Sequence, residues 1–321
     1  MKKAFRGLGI ALPVALLTLI AAVIKTIACF KNMDYSTGFF DGAVSVRIAN
    51  AAIVVASVAL LASLFIKVEK RSVPVSFAGP LVYLPSGVLA TSLLFLATEI
   101  IGYASDMTGG FSATRPFDRS AIIALITATL ALCTIAYLAL VIFTQNPRSL
   151  LRANFGMLAA LFFALYTAFL FFRAGASLAQ PQKIITEMVC LAAAVFFLEE
   201  TRISLGRERW NAYFVLGGLT AVLAFYAAAP ALAVYVIEGK VITSGPAELI
   251  FLLSLFVFAS LRLIHALKFM NVSSSPLAMA ISTRKAEKSQ DAPTDDEFSQ
   301  ISIEDVTDEE RQIENEEDTG N

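Results

Sequence analysis

The chain has 321 residues, of which 57% are hydrophobic and only 16% charged. A soluble domain is normally about 45–50% apolar and about 25% charged, so the composition excludes an ordinary soluble protein. The charge is also unevenly placed, because residues 271–321 hold 4 Lys and Arg against 14 Asp and Glu, a net of −10. Residues 1–270 hold 21 against 12, a net of +9. The sequence therefore predicts a membrane domain over 1–270 and an acidic tail over 271–321.

Eight apolar segments follow one another before residue 270, each about as long as the hydrocarbon layer of a bilayer is thick. We place them at 7–30, 46–67, 81–104, 119–144, 150–173, 182–203, 211–237 and 247–270. None shows the alternation of a membrane β-barrel, and a segment in lipid must satisfy its own backbone hydrogen bonds. The prediction is an all-α fold, a polytopic membrane bundle of eight transmembrane helices.

The basic residues in the connections predict the orientation of this bundle. One side carries 15 Lys and Arg, counting both terminal segments, and the other side carries 7. Loops rich in Lys and Arg stay in the cytoplasm. We therefore expect both termini to be cytoplasmic and the protein to lie in the plasma (inner) membrane.

The first segment has a second interpretation. MKKAFR followed by an apolar run is typical of a signal peptide, and Thr26–Cys29 suggests a lipoprotein cleavage box. The run is long for a signal peptide, however, and Lys25 interrupts it just before the cleavage point. We favour an uncleaved first helix, since cleavage would leave seven spans.

Two loops on the predicted outer side share a short motif. Thr37–Phe40 and Thr108–Phe111 both read Thr-Gly-x-Phe, with an aspartate on either side. One interpretation is a duplicated helical hairpin that closes with a glycine turn. The alternative is a chance match between two loops rich in Gly, Asp and Phe.

The sixth segment carries three of the candidate functional residues. It starts at Pro181, carries Glu187 near one end of its apolar run, and ends in Glu199 and Glu200. Lys25 and Glu99 lie at the predicted depth of Glu187, roughly 8–10 Å from the helix centres toward the outer face. Charges at membrane depth are costly and mark functional sites, so these three predict a proton or cation site. The alternative is that Lys25 snorkels and the glutamates lie among the lipid headgroups.

A second charged level is predicted nearer the cytoplasm. Arg262 and His265 are three residues apart on the eighth helix and are therefore neighbours on its surface. Arg262 is the deepest charge at this level, roughly 5 Å from the helix centre, and most needs a partner. Glu199 or Glu200 is the expected partner, either within a functional site or as a structural salt bridge. Glu187 and Glu199 are about 120° apart around their helix, so they do not line one pore.

The sequence carries no recognisable catalytic, cofactor or metal motif. Nucleotide-binding and metalloprotease patterns and the serine-hydrolase elbow are all missing. His265 is the sole histidine, and Cys29, Cys133 and Cys190 each fall in or beside an apolar run, where they are expected to pack. We therefore expect no enzyme activity, cofactor or metal, and the acidic charge of the tail argues against nucleic acid.

The tail is expected to be disordered because it combines low hydrophobicity with high charge. One stretch in it differs, with apolar residues placed among acids: Phe298, Ile301, Ile303 and Val306. Such a segment is suited to binding a cytoplasmic protein partner as an added strand or a short helix. The alternative is a solvated tail with incidental apolar residues.

Two functions follow from these patterns. The first is movement of a small solute, ion or proton, which rests on membrane charges of both signs. The alternative is a non-transporting membrane subunit, sensor or scaffold that recruits a partner through its tail. Transport predicts that Glu99→Gln or Glu187→Gln changes activity, whereas recruitment predicts that loss of residues 287–321 abolishes function. The sequence indicates neither the substrate nor the oligomeric state.

Overall fold

The computed structural model of the chain is helical and describes eight stretches of residues.

 It covers residues 5–35, 37–42, 44–65, 79–107, 119–144, 149–173, 180–207 and 209–272. The described chain up to Leu267 belongs to one compact unit. The Thr108–Phe111 motif and the tail residues lie outside the described residues: Phe298, Ile301, Ile303 and Val306.

Eight α-helices make up almost all of the described chain. They are α1 Phe5–Asn32, α2 Val44–Ala62, α3 Pro80–Met107, α4 Arg119–Phe143, α5 Leu150–Phe172, α6 Pro181–Ser204, α7 Trp210–Glu238 and α8 Pro246–Val272. Each overlaps one predicted segment closely, so the predicted all-α bundle is confirmed as a set of helices. A short 3₁₀ turn, Ser63–Phe65, follows α2.

Seven of the described helices are long and apolar enough to cross a membrane, and α6 is the one outside that set. The chain is therefore a multi-pass integral membrane protein. Crossing by all eight helices stays a prediction. Buried positions occur on most sides of α6, including Lys183, Glu199 and Glu200, which is typical of a helix surrounded by others.

Proline and glycine residues mark several helix boundaries. Pro80, Pro181 and Pro246 are the first residues of α3, α6 and α8, where a missing N–H costs no helical hydrogen bond. Gly239 ends α7 in the left-handed conformation, with a φ of 67°. These proline and glycine residues explain why the helix boundaries were predictable to within a few positions.

The first Thr-Gly-x-Phe motif forms a small hairpin between α1 and α2. Strands β1 (Met33–Asp34) and β2 (Phe39–Phe40) pair antiparallel. Gly38 has a φ of +74°, and a Cβ atom there would lie 2.2 Å from Nε2 of Gln180, just before α6. The hairpin therefore packs directly over the start of α6.

The helices pack in two groups that meet at α6 and α7. In one group α1, α2 and α7 contact each other, and in the other α3, α4, α5 and α6 contact in chain order. The largest hydrophobic core joins α3 to α8, whereas two smaller clusters join α1, α2 and α7. Contacts between α6 and α7 connect the two groups.

An aromatic layer fills the middle of the larger group. It is built from α5, α6 and α8 and consists of Phe162, Phe163, Tyr166, Phe197, Phe251 and Phe258. The Phe163 and Phe197 rings stack at 4.9 Å between centroids, and the Phe197 and Phe258 rings at 5.6 Å. Such pairs add about 0.5–1.5 kcal/mol each beyond the apolar area that they bury.

Helices α6 and α8 run parallel, because polar contacts join them near both ends. Thr186 contacts Glu248, and Glu200 binds Arg262, and in both pairs the partners are 62 positions apart. On each helix the two polar residues are 14 positions apart. Fourteen residues advance about 21 Å along a helix axis and return to within about 40° of the starting direction around it. One face of each helix therefore carries both polar residues.

A glycine on α5 tests how closely the helices are packed. A Cβ atom on Gly156 would lie 2.5 Å from Oγ1 of Thr201 and 3.3 Å from the Tyr137 ring. We expect Gly156→Ala to push α5 away from α6 and to destabilise the protein by about 1–3 kcal/mol. Thermal unfolding of the purified protein in detergent measures the change.

Gly87→Ala is the matched control for this substitution. Gly87 is also helical, and a Cβ atom there has nothing within 4 Å. We expect it to leave stability unchanged or to raise it by up to about 1 kcal/mol, because alanine favours helix. Equal unfolding temperatures for the two variants would contradict the close α5–α6 contact.

Candidate functional site

Two buried polar clusters lie at the two ends of the α6–α8 pair. The Glu200 cluster takes one residue from each of α4 to α8: Tyr137, Arg152, Glu200, Tyr213 and Arg262. The Glu248 cluster joins α1, α6, α7 and α8: Lys25, Gln182, Thr186, Tyr226 and Glu248. Each of their charged residues is at least nine-tenths buried.

The carboxylate of Glu200 is held by four donors. Nε of Arg262 donates to Oε1 at 3.0 Å, and Nη2 donates to Oε2 at 2.5 Å. The hydroxyls of Tyr213 and Tyr137 donate to the same oxygens at 2.7 and 3.2 Å. A two-point Arg–carboxylate pair with further hydrogen bonds is the arrangement that offsets the cost of burying both charges.

This geometry confirms the predicted partnership between Arg262 and an acid of the sixth helix, and it selects Glu200. A second cation, Arg152 of α5, interacts with both Tyr137 and Glu200 and is only 2% exposed. The sequence does not mark Arg152 as a site residue, because it lies in the first turn of α5, where a basic residue is typical of a loop. The Glu200 cluster thus holds two guanidinium groups around one carboxylate.

The neighbouring acid, Glu199, points away from this cluster. Its Oε1 accepts a hydrogen bond from Arg202 at 2.8 Å, and Arg202 is 42% exposed in its side chain. Its Oε2 is buried and has no hydrogen-bond donor among the described residues. Adjacent carboxylates on α6 therefore have different surroundings, one saturated by donors and one paired with a single, partly exposed arginine.

His265 is buried on α8, one turn beyond Arg262. A Cβ atom on Gly79, just before α3, would lie 3.8 Å from its Cε1 atom, so the ring packs against the start of α3. Within the described chain no group of three His, Cys, Asp or Glu residues is arranged to hold a metal ion. The expectation that no metal is bound stays a prediction.

In the Glu248 cluster, a buried lysine is bound by an amide instead of a carboxylate. Nζ of Lys25 donates to Oε1 of Gln182 at 3.0 Å and lies 4.5 Å from the centre of the Tyr226 ring. Nε2 of Gln182 donates in turn to the carbonyl oxygen of Ala227 at 3.0 Å. The Tyr226 hydroxyl donates to Oδ1 of Asn50 at 2.6 Å. These contacts connect α1, α2, α6 and α7.

The other half of this cluster is Glu248, in the first turn of α8. Its Oε1 lies 3.0 Å from the Thr186 hydroxyl, and its Oε2 accepts the backbone N–H of Ser244 at 3.2 Å. The Thr186 hydroxyl is also 3.1 Å from the carbonyl oxygen of Gln182. A glutamate that reaches back to a backbone N–H before its helix resembles the acid of a capping box.

Glu99 and Arg173 lie between Glu248 and the surface. Nη2 of Arg173 is 3.6 Å from Oε1 of Glu99, with side chains 21% and 28% exposed. Arg173 also interacts with Glu248 and approaches the carbonyl oxygen of Ser244 at 3.5 Å. A Cβ atom on Gly245 would lie 2.2 Å from Oε1 of Glu99, so only glycine fits there without moving the carboxylate.

The predicted meeting of Lys25, Glu99 and Glu187 is wrong. Lys25 binds Gln182, and Glu99 binds Arg173. Glu187 is half-buried and interacts with Lys183 one turn earlier on α6. Depth alone predicted the level of these residues, but the direction of each side chain around its helix decides its partner.

The polar residues that complete the Glu248 cluster were missed in the sequence. Gln182 and Thr186 are uncharged, and Glu248 is near a helix start, where an acid is ordinarily a cap. One signal was present: Gln182 follows Pro181 and Glu248 follows Pro246 within the first turn of a helix. Two parallel helices with polar residues at matching early positions are placed to bind each other.

The buried ion pair yields a stability prediction. We expect Arg262→Met alone to destabilise the protein by about 3–5 kcal/mol, because it leaves the Glu200 carboxylate buried without its main partner. Glu200→Met combined with Arg262→Met is expected to recover part of this loss. Chemical unfolding in detergent measures both.

Lys240→Gln is the control for this pair, since both partners of the Lys240–Glu238 contact are partly exposed. Its expected cost is about 1 kcal/mol or less. If the double variant proved less stable than Arg262→Met, the pair would not be the source of the loss.

Comparison with known proteins complements this description. No family model, curated protein or solved structure matches the chain. The chain is a multi-pass integral membrane protein that buries two mixed polar clusters on one pair of parallel helices.

Proposed function

We propose that this protein moves a small ion or proton across the plasma membrane, with both termini in the cytoplasm. The observation that carries the proposal is the burial of Lys25, Glu248, Glu200 and Arg262 inside a bundle of apolar helices. A charge at the bilayer centre costs about 2.5–3.5 kcal/mol on insertion scales. Charged residues at this depth typically mark ion paths and proton relays.

The residues around Glu248 offer an ion or proton a way into the bundle from the surface. Arg173 and Glu99 are partly exposed, and Arg173 also interacts with the buried carboxylate of Glu248. A polar route therefore leads from the surface to the buried end of the cluster. In the proposed orientation this end of the bundle faces outward.

The aromatic layer supports a closed barrier between the two clusters. Phe251 and Phe258 lie on α8 between Glu248 and Arg262, on the face that carries both. The phenylalanine rings of this layer carry no hydrogen-bonding group that could replace the water around an ion. Passage past this layer requires a change in helix packing, as in carriers that expose a central site to one side at a time.

The two helix groups provide parts that can move against each other. Lys25 on α1 donates to Gln182 on α6, so its bond joins the smaller group to the larger one at the Glu248 cluster. At the other end Tyr213 of α7 donates to Glu200 of α6. Gly217 of α7 also lies at this boundary, where an added Cβ atom would come within 2.8 Å of the Phe196 ring of α6.

The proposal is tested by flux through the purified protein in proteoliposomes. Gradients of pH, Na⁺, K⁺ and Cl⁻ are imposed in turn and their decay is followed with dyes. We expect the native protein to dissipate at least one of them faster than Lys25→Met by about tenfold, which corresponds to about 1.4 kcal/mol in barrier height. Methionine fits the apolar space of the lysine stem but makes no bond to Gln182.

Lys240→Gln is the control. Lys240 is at the surface after α7, half-exposed in its ion pair with Glu238, and its loss is expected to leave the flux unchanged. If no gradient decays faster with the native protein than in protein-free liposomes, ion movement is not its function.

A second function, recruitment of a cytoplasmic partner, is supported by the net charge of −10 in residues 271–321. Recruitment of a partner also agrees with the structure around Glu200, because four hydrogen-bond donors hold that carboxylate in place. Removing residues 287–321 distinguishes the two functions. If the protein is a transporter, the shortened protein keeps its flux. If it recruits a partner, the shortened protein no longer captures that partner, and neither form of the protein shows flux.

A further inference from the structure

The two buried glutamates of the α6–α8 pair have opposite surroundings. Glu200 and Glu248 are 1% and 2% exposed. Glu200 has an arginine in two-point contact and two tyrosine donors. Glu248 has no ion pair within the described residues, and its hydrogen-bond partners are the hydroxyls of Thr186 and Ser244 and the backbone N–H of Ser244.

The contact with Thr186 depends on a single hydrogen atom. Oγ1 of Thr186 lies 3.0 Å from Oε1 of Glu248 and 3.1 Å from the carbonyl oxygen of Gln182. A hydroxyl has one hydrogen to donate. If Glu248 is ionised, both neighbours are acceptors and only one receives that hydrogen. If Glu248 carries a proton, it donates to Thr186 and Thr186 donates to Gln182, so both contacts are satisfied.

We propose that Glu248 is a proton-binding site, with the acid proton donated to Thr186, while Glu200 stays ionised. Two carboxyl groups whose surroundings differ in this way commonly take different states, one protonated and one permanently ionised. This inference deepens the proposed function by naming the proton as a species that the bundle takes up. It rests on that function only for its role in transport, because the protonation itself is independent of flux.

The other groups around Glu248 fit proton exchange with the surface. Arg173, directly after α5, interacts with it but is bound to Glu99 of α3, which is partly exposed. Tyr166 of α5 and Cys190 of α6 are the further titratable neighbours, and both are buried in the core. On the α1 side, Lys25 reaches the cluster through Gln182, not through the carboxylate. Glu99, which is partly exposed, is therefore the carboxyl group of this set that reaches the surface.

When Glu248 releases its proton, the Thr186 hydroxyl turns its hydrogen to the carboxylate. The carbonyl of Gln182 keeps its helical partner, the backbone N–H of residue 186, because α6 continues through both positions. The change needs rotation about one side-chain bond and no movement of a helix. The site therefore accommodates both states in the same packing.

Infrared spectroscopy of the full-length protein in proteoliposomes tests this assignment at neutral pH. We expect a carbonyl stretching band of protonated glutamic acid in the native protein and its loss in Glu248→Gln. Glu238→Gln, at the exposed end of α7, is the control and is expected to retain the band. Spectra of Glu248→Gln and the native protein that superimpose in this region would overturn the proposal.

Thr186→Val keeps the test decisive if Glu248→Gln does not fold. Valine has nearly the same shape but accepts no hydrogen bond, so the band is expected to remain and to shift to higher frequency. An unshifted band would assign the proton to another acid.

A band that behaves as expected without any flux in the liposomes would support the proton site and contradict the transport function, so the two results are separable.

Discussion

The structure depends on the requirement that every charge inside the bundle finds hydrogen-bonding partners that replace water. The Glu200–Arg262 pair meets it most completely, because both oxygens of the carboxylate receive two hydrogen bonds each. To supply them, α4, α7 and α8 must all face the same point on α6. The packing of four helices is thus determined by one buried acid, and the aromatic layer fills the space that this arrangement leaves.

The same requirement is met differently at the other end of α6 and α8. There the buried groups are bridged by neutral residues, an amide and a hydroxyl, and not by direct contact between opposite charges. Neutral bridges hold charges more weakly than ion pairs and adapt more easily to a change of protonation. The bundle therefore has one rigid polar end and one adaptable end, on the same two helices.

Much of this architecture was predictable from the sequence, for physical reasons. Apolar runs of membrane length fix where helices lie, and Pro181 and Pro246 fix where two of them begin. The depth of Arg262 made an acidic partner necessary, and few acids lie at that level. The Glu248 cluster was not predictable in this way, because a sequence gives the height of a side chain along its helix but not which neighbouring helix it faces. Gln182 and Thr186 carry no charge, so no charge marked them as members of the cluster.

The equal spacing of the two contacts between α6 and α8 has a consequence for how this chain tolerates insertions. In both pairs the partners are 62 positions apart. Helices α6 and α8 are joined by α7 and a connection at each of its ends, so an added residue in the turn after Gly239 leaves both contacts in place. An added residue inside α8 between Glu248 and Arg262 rotates one contact by about 100° relative to the other. No shift of the helix along its axis restores both. Length variation in this region is therefore confined to the connections, and α6 and α8 are constrained to keep the same length between their polar residues.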